Sequence, residues 1–283
     1  MGLGVSAPRR EASLADFEGE RVELLGTTRD VYRAGSGPAV IVLAEMPGVT
    51  PHVLGFASRL VDMGCTAVVP HLFGKSGVEP GRGGRRTFLF DAVQAMAPIC
   101  ISKEFTVLAT GRTSPVVGWL RALARREHER CGGPGVGAVG MCFTGGFALA
   151  MATIPEVVAP VMAQPSLPFP LGARRRRRID LSDADLAVVE QRCASGELAV
   201  VGLRFCGDSA VPAERFAMLR ERLGDAFVAV ELPDESAHPG ASLKPHSTLT
   251  THLVDEPGAP THDGLEIVLD HLRRCLLDGV SGR

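Results

Sequence analysis

The sequence predicts an α/β protein with a mostly parallel central sheet and helices on both faces. Six apolar, β-capable runs recur along the 283 residues, separated by segments of helical periodicity, the alternation from which parallel sheets are built. A hydrophobic content of 45% over that length can fill the core of one large domain, residues 1–283. One run also ends on a cysteine followed at once by small residues in helical register, "VGAVGMCFTGGFALAMA" at 136–152, as expected of a strand that turns sharply into a helix.

The first twenty residues, "MGLGVSAPRREASLADFEGE", carry no apolar signal core and read as a polar lead-in; the loose myristoylation pattern in "MGLGVS" is of a length that chance supplies. Strands follow at Pro38–Glu45, Thr66–Phe73, Val136–Met141, Val158–Ala163, Leu198–Phe205 and Ala226–Leu232. Helices fall at His52–Met63, Ser114–Arg130, Gly145–Thr153, Ser182–Cys193, Pro212–Leu223 and Thr261–Leu277. Residues 74–112, headed by "GKSGVEPGRGGRR", lose the alternation and read as an insertion over the site. "GKSG" lacks the upstream glycine and strand-to-helix setting of a phosphate-binding loop. In "SDADLAVVEQR", Ser182 with Asp185 three residues on resembles a capping box and marks a helix start. The arginine run Arg174–Arg178 just before it reads as a solvated surface loop leading into that acidic helix start.

The formal net charge of −2 gives no general electrostatic reason to bind nucleic acid or an anionic membrane, and no segment has the length to span a bilayer. A small-molecule partner fits better. Seven cysteines form neither a CxxC pair nor a Cys/His metal spacing, which argues for a reducing, cytoplasmic setting and against a disulfide framework or structural zinc.

Cys142 stands where strand meets helix. A turn that tight forces its apex residue into strained dihedrals and needs small neighbours, which Gly140, Gly145 and Gly146 supply. The apex side chain is then exposed at the carboxyl end of the sheet, with the N–H groups of the following helix facing any negative charge that develops there. Cys142 is read as a nucleophile, and Cys65, Cys100, Cys131, Cys193, Cys206 and Cys275 as small apolar residues. Such a nucleophile needs a base and a group to orient that base. "CGDSAVP" puts Asp208 at a strand's carboxyl end, and the long loop after the last strand holds His238, His246, His252 and His262. Chemistry alone does not choose among the four histidines.

Taken together, "VIVLAEMPGV", "GMCFTGG", "GDSAVP" and "PHS" resemble the dienelactone hydrolase family from about Pro38 to the C-terminal helix, which implies an α/β-hydrolase fold. The resemblance implies a triad of Cys142, Asp208 and His246, with His238 second to His246. It also brings Glu45 into the site as acceptor of the thiol proton, Met46 and Phe143 as oxyanion donors, and no metal or organic cofactor. The implied reaction is hydrolysis of small lactones or esters through an acyl-enzyme. A carboxylesterase or thioesterase, or a silent ligand-binding domain, are the alternatives on the same scaffold. Two positions depart from the family pattern. Thr144 stands where the first glycine of the elbow pair is usual, and Thr250 where an arginine usually holds a substrate carboxylate. The expectation is that Thr250 faces the substrate with one neutral hydrogen bond, and that Arg112 takes over from the opposite wall.

Overall fold

The computed structural model describes residues 10–74, 76–77, 111–239 and 244–278. The expected insertion at 74–112 therefore lies almost wholly outside the described residues, as do Cys100 and the "MGLGVS" pattern.

An eight-stranded sheet organises the chain, with β1 at Glu18–Leu24, β2 at Thr27–Gly35, β3 at Ala39–Leu43, β4 at Thr66–Pro70, β5 at Val136–Met141, β6 at Val157–Ala163, β7 at Val200–Phe205 and β8 at Phe227–Leu232. Its spatial order is β1-β2-β4-β3-β5-β6-β7-β8. β1 and β2 pair antiparallel, as do β2 and β4. The pairings from β4 through β3 to β8 are parallel. Helices are α1 at Pro51–Asp62, α2 at Val116–Cys131, α3 at Gly145–Met151, α4 at Ala173–Arg176, α5 at Asp183–Ala194, α6 at Ala213–Leu223 and α7 at Pro260–Arg273. The central strands are buried on both faces, which is why they read as unbroken apolar runs. Along β3, Ala39, Ile41 and Leu43 face the core beneath α2, α3, α5 and α6, while Val40 and Val42 face the one beneath α1 and α7. Helices thus cover both faces, and because the parallel strands run one way, their carboxyl ends line a single edge.

The six expected strands and six expected helices all form, with ends shifted by a few residues. The β1–β2 hairpin was not expected. Each of its strands fully buries only one apolar side chain, Val22 and Val31, so neither reads as an apolar run. Its turn is Leu25–Gly26, both at positive φ, the geometry that joins tight hairpins. Arg33 on β2 points inward instead of a hydrophobe, and its guanidinium forks onto the buried Glu127 of α2, with Nε donating to Oε2 at 3.0 Å and NH2 to Oε1 at 2.5 Å.

Two local expectations are refined. Ser182 caps α5, its hydroxyl accepting from the Asp185 N–H at 3.0 Å, but the return half of the box is supplied by Thr113, whose hydroxyl accepts from the Ser182 N–H at 3.0 Å. The arginine run is not a free loop. It forms the short α4 and the turn after it, with Arg176 paired to Glu214, Arg177 to Glu221 and Arg178 to Asp183. Among the described residues, no helix is long and apolar enough to cross a membrane.

Candidate active site

The site is built on the carboxyl edge from the ends of β3, β5, β6, β7 and the segment after β8. At the end of β5 the backbone turns through Cys142 at φ +55°, a left-handed conformation that costs a non-glycine residue about 1 kcal/mol or more and persists only where the surroundings enforce it. The neighbours explain the glycines. A Cβ at Gly140 would lie 2.3 Å from the Thr144 carbonyl oxygen, and one at Gly145 would meet Pro165 at 2.7 Å. Thr144 is accommodated because its hydroxyl is used: it accepts from the Met141 N–H at 3.0 Å and donates toward the Leu43 and Met141 carbonyls, each also at 3.0 Å. A glycine would lack this pin between the elbow and the end of β3.

Asp208 follows β7 and is buried. One of its carboxylate oxygens accepts from the Ala210 N–H at 2.9 Å, which fixes the carboxylate, and the other meets His246 Nδ1 at 2.6 Å. The His246 ring also interacts with the Cys142 side chain. Burial opposes charge on this ring, yet the sulfur's negative charge and the Asp208 carboxylate outweigh it and hold the imidazolium well above the usual histidine range. His246 thus links the Asp208 carboxylate to the neighbourhood of Cys142. His238 does not take this place; its backbone N–H donates to the His252 carbonyl at 2.9 Å. His252 is buried with Nδ1 accepting from the Ser247 N–H, and His262 pairs with Asp255.

Met46 and Phe143 stand equally far beyond a paired position. Leu43 and Gly140 are partners in the β3–β5 register, and each of these two residues follows its partner by three. Met46 thus follows the end of β3 and Phe143 the end of β5, two adjacent strands of the sheet. Phe143 is anchored from both sides by edge-to-face rings, Phe73 at 5.5 Å and Phe147 at 5.6 Å.

Glu45, Thr250 and Arg112 are placed as follows. The Glu45 carboxylate accepts from Gln164 Nε2 at 3.1 Å, from the Ser247 hydroxyl at 2.7 Å and from the Thr250 hydroxyl. Among the described residues, no hydrogen bond joins it to Cys142. Thr250 is buried with its hydroxyl on Glu45, so it is part of that anchor, as a buried carboxylate takes up the donors within reach. Arg112 is exposed in the turn before α2, and its neighbours Thr113 and Ser114 bond to Asp185 and Asp180, tying the turn to α5 and the segment before it.

Sequence reasoning missed two residues beyond β6. Gln164, at φ +38°, gives its amide N–H to Glu45 and takes the Thr248 N–H and hydroxyl on its carbonyl at 3.1 and 2.7 Å. Ser166 sets its hydroxyl 3.5 Å from Cys142 Sγ. Nothing in "AQPSLP" marks either, apart from a polar pair following a strand that is otherwise apolar. No group of three or more His, Cys, Asp or Glu side chains among the described residues is arranged to hold a metal ion.

Comparison with known proteins places the fold in a family. The dienelactone hydrolase family model matches residues 26–223, a span that includes Glu45, Cys142 and Asp208. The chain belongs to the dienelactone hydrolase family. As a family member it is a carboxylic ester hydrolase, with the α/β-hydrolase fold. Similar solved structures include a protein assigned as a dienelactone hydrolase from Klebsiella pneumoniae, 17% identical with a TM-score of 0.59, covering 91% of this chain and 98% of that one. A cold-adapted esterase from an Arctic intertidal metagenomic library is 17% identical with a TM-score of 0.54, covering 91% and 92%. A dienelactone hydrolase-like promiscuous phosphotriesterase from metagenomic libraries is 17% identical with a TM-score of 0.51, covering 92% and 99%. At such identity the likeness speaks for the fold. No curated protein matches.

Proposed function

We propose that this dienelactone hydrolase family member hydrolyses small carboxylic esters or lactones through a thioester on Cys142. The observation that carries the reading is the alignment of an apex cysteine at φ +55° with His246, which Asp208 holds at 2.6 Å. A strained elbow, a charged partner and a fixed carboxylate together make a poised nucleophile.

In this reading the Cys142 thiolate attacks the ester carbonyl carbon, an S–C bond forms, and the N–H groups of Met46 and Phe143 receive the oxyanion. The tetrahedral adduct collapses by breaking the C–O bond, and the leaving alkoxide takes the proton of the His246 imidazolium. In a lactone that alkoxide stays attached to the acyl chain. The now neutral His246 removes a proton from water, the hydroxide adds to the thioester, and collapse returns carboxylic product, thiolate and imidazolium. Asp208 stays ionised throughout and keeps the ring oriented. Glu45 holds the His246 segment in place and transfers no proton.

The test is rapid mixing with a small chromophoric aryl ester. A burst of one equivalent of leaving group, with the acyl group mapped to Cys142 by mass spectrometry after acid quench, is expected. Cys142→Ala should lose the burst and at least about a thousandfold in kcat, the scale of losing a nucleophile. Turnover that survives complete, mapped alkylation of Cys142 rejects the reading.

A further inference from the structure

Ser166 has no part in the triad, yet its surroundings fix it beside the sulfur with unusual thoroughness. It lies just past the end of β6 and is only 5% exposed. Its backbone N–H donates to the Cys142 carbonyl at 3.0 Å, and its hydroxyl lies 3.5 Å from Sγ. The residues around it are clamped by Arg215 of α6, which is fully buried. The Arg215 guanidinium donates to the Pro165 carbonyl at 2.5 Å, immediately before Ser166, and to the Pro168 carbonyl at 2.6 Å, two residues after it. The same side chain donates to the Arg178 carbonyl at 2.6 Å and, more weakly, to those of Ala210 and Arg175 at 3.4 and 3.5 Å. One buried arginine thus joins the Ser166 segment to the turn that carries Asp208.

A thiolate has no proton to give, so a hydroxyl beside it can only donate. His246 occupies one direction around the sulfur and Ser166 another. We propose that Ser166 is a further catalytic residue, a fixed hydroxyl donor that stabilises the Cys142 thiolate in the resting enzyme and again when deacylation returns it. Once the sulfur is acylated it becomes a weak acceptor, so the hydroxyl favours the thiolate over the thioester and speeds expulsion of the sulfur in the second half of the reaction. Arg215 is the positioning residue behind it. Charge-assisted hydrogen bonds are about twice as strong as neutral ones, so removing this donor should raise the pH at which Cys142 ionises. The inference rests on Cys142 being the nucleophile, but it is tested by labelling, without turnover.

The experiment is the rate of iodoacetamide alkylation, resolved cysteine by cysteine with mass spectrometry, as a function of pH. In Ser166→Ala the midpoint of the Cys142 profile should rise by about one pH unit, with labelling near neutrality slowed about tenfold. The exposed Cys206 should be unchanged. Cys65 and Cys193, whose thiols burial pushes up to about 11, should stay unlabelled and so report an intact fold. Ser166→Thr and Ser166→Val have the same shape and differ only in the hydroxyl, so any packing effect cancels between them; Thr should label at least about fivefold faster than Val near neutrality. Equal profiles for Thr and Val, or a Ser166→Ala profile that overlays wild type while Cys65 and Cys193 remain protected, would overturn the proposal. If instead the shift is observed but alkylated enzyme still turns over, the contact between Ser166 and the sulfur stands, while the catalytic role falls with the cysteine-hydrolase reading.

Discussion

Glu45 and Ser247 lie 202 positions apart in the chain and are joined by a hydrogen bond of 2.7 Å, the serine hydroxyl donating to the carboxylate. Ser247 directly follows His246, so this bond ties the histidine's segment to the end of β3, beside Met46. Gln164 and Thr250 close the same knot. A charged acceptor with three satisfied donors is a rigid support, because releasing any one leaves a buried polar group unpaired.

Thr250 discriminates between support and substrate contact. Thr250→Val keeps the shape and removes the donor to Glu45. It should lower kcat by about tenfold and leave KM within about twofold, since the loss acts through His246 and not through binding. A rise in KM with kcat unchanged, measured on the same aryl ester, would return Thr250 to the substrate wall.

His246 and His238 flank a short stretch of the same loop, and His246 meets Asp208 at 2.6 Å. His246→Ala should reduce kcat at least about a hundredfold and shift alkylation of Cys142 to higher pH, because the cation that favours the thiolate is gone. His238→Ala should remain within a few-fold of wild type. The opposite ranking in steady-state kinetics would contradict the assignment.

Glu127 is completely buried and holds the Arg33 guanidinium through two hydrogen bonds. Arg33 also donates to the part-exposed Glu20 at 2.7 Å, so Glu127→Gln leaves the buried cation with that one carboxylate and should destabilise the fold by about 2 kcal/mol, whereas Arg33→Met combined with Glu127→Leu should recover most of the loss. Urea denaturation of the single and double variants measures the difference. A single variant within about 0.5 kcal/mol of wild type would mean that the pair contributes no net stability.

His271 on α7 is buried, and burial pulls its imidazole down to about 4 from the usual 6.5, with Arg274 adding to the effect. Below pH 6.5 the unfolded chain gains a proton there that the folded chain declines until about pH 4, so stability falls as the pH drops through this window. The full loss is about 3 kcal/mol at 1.4 kcal/mol per pH unit. His271→Leu should flatten that limb of the stability–pH curve. Thermal melts of the two proteins at pH 7 and pH 4.5 that differ by the same interval would show that another group is responsible.

The sequence by itself determined the order of strands and helices from β3 onward, because a strand buried on both faces is written as an unbroken apolar run and an amphipathic helix as a period. It also determined the elbow, since only small residues can stand at Gly140 and Gly145, where a Cβ would strike the Thr144 carbonyl and Pro165. The hairpin at the sheet edge was not legible, because strands that fully bury one apolar side chain each, Val22 and Val31, leave no run to read. What only the tertiary structure decided is where the polar side chains point. The four histidines after β8 are equivalent in sequence, and contact with Asp208 selects His246. Glu45, Gln164 with Ser166, and Thr250 come from two strand ends and one loop, and their roles depend on directions of a few ångströms that no spacing encodes. Hydrophobic patterning is a local property of the chain, whereas a buried hydrogen bond is satisfied by whatever the folded edge brings within reach.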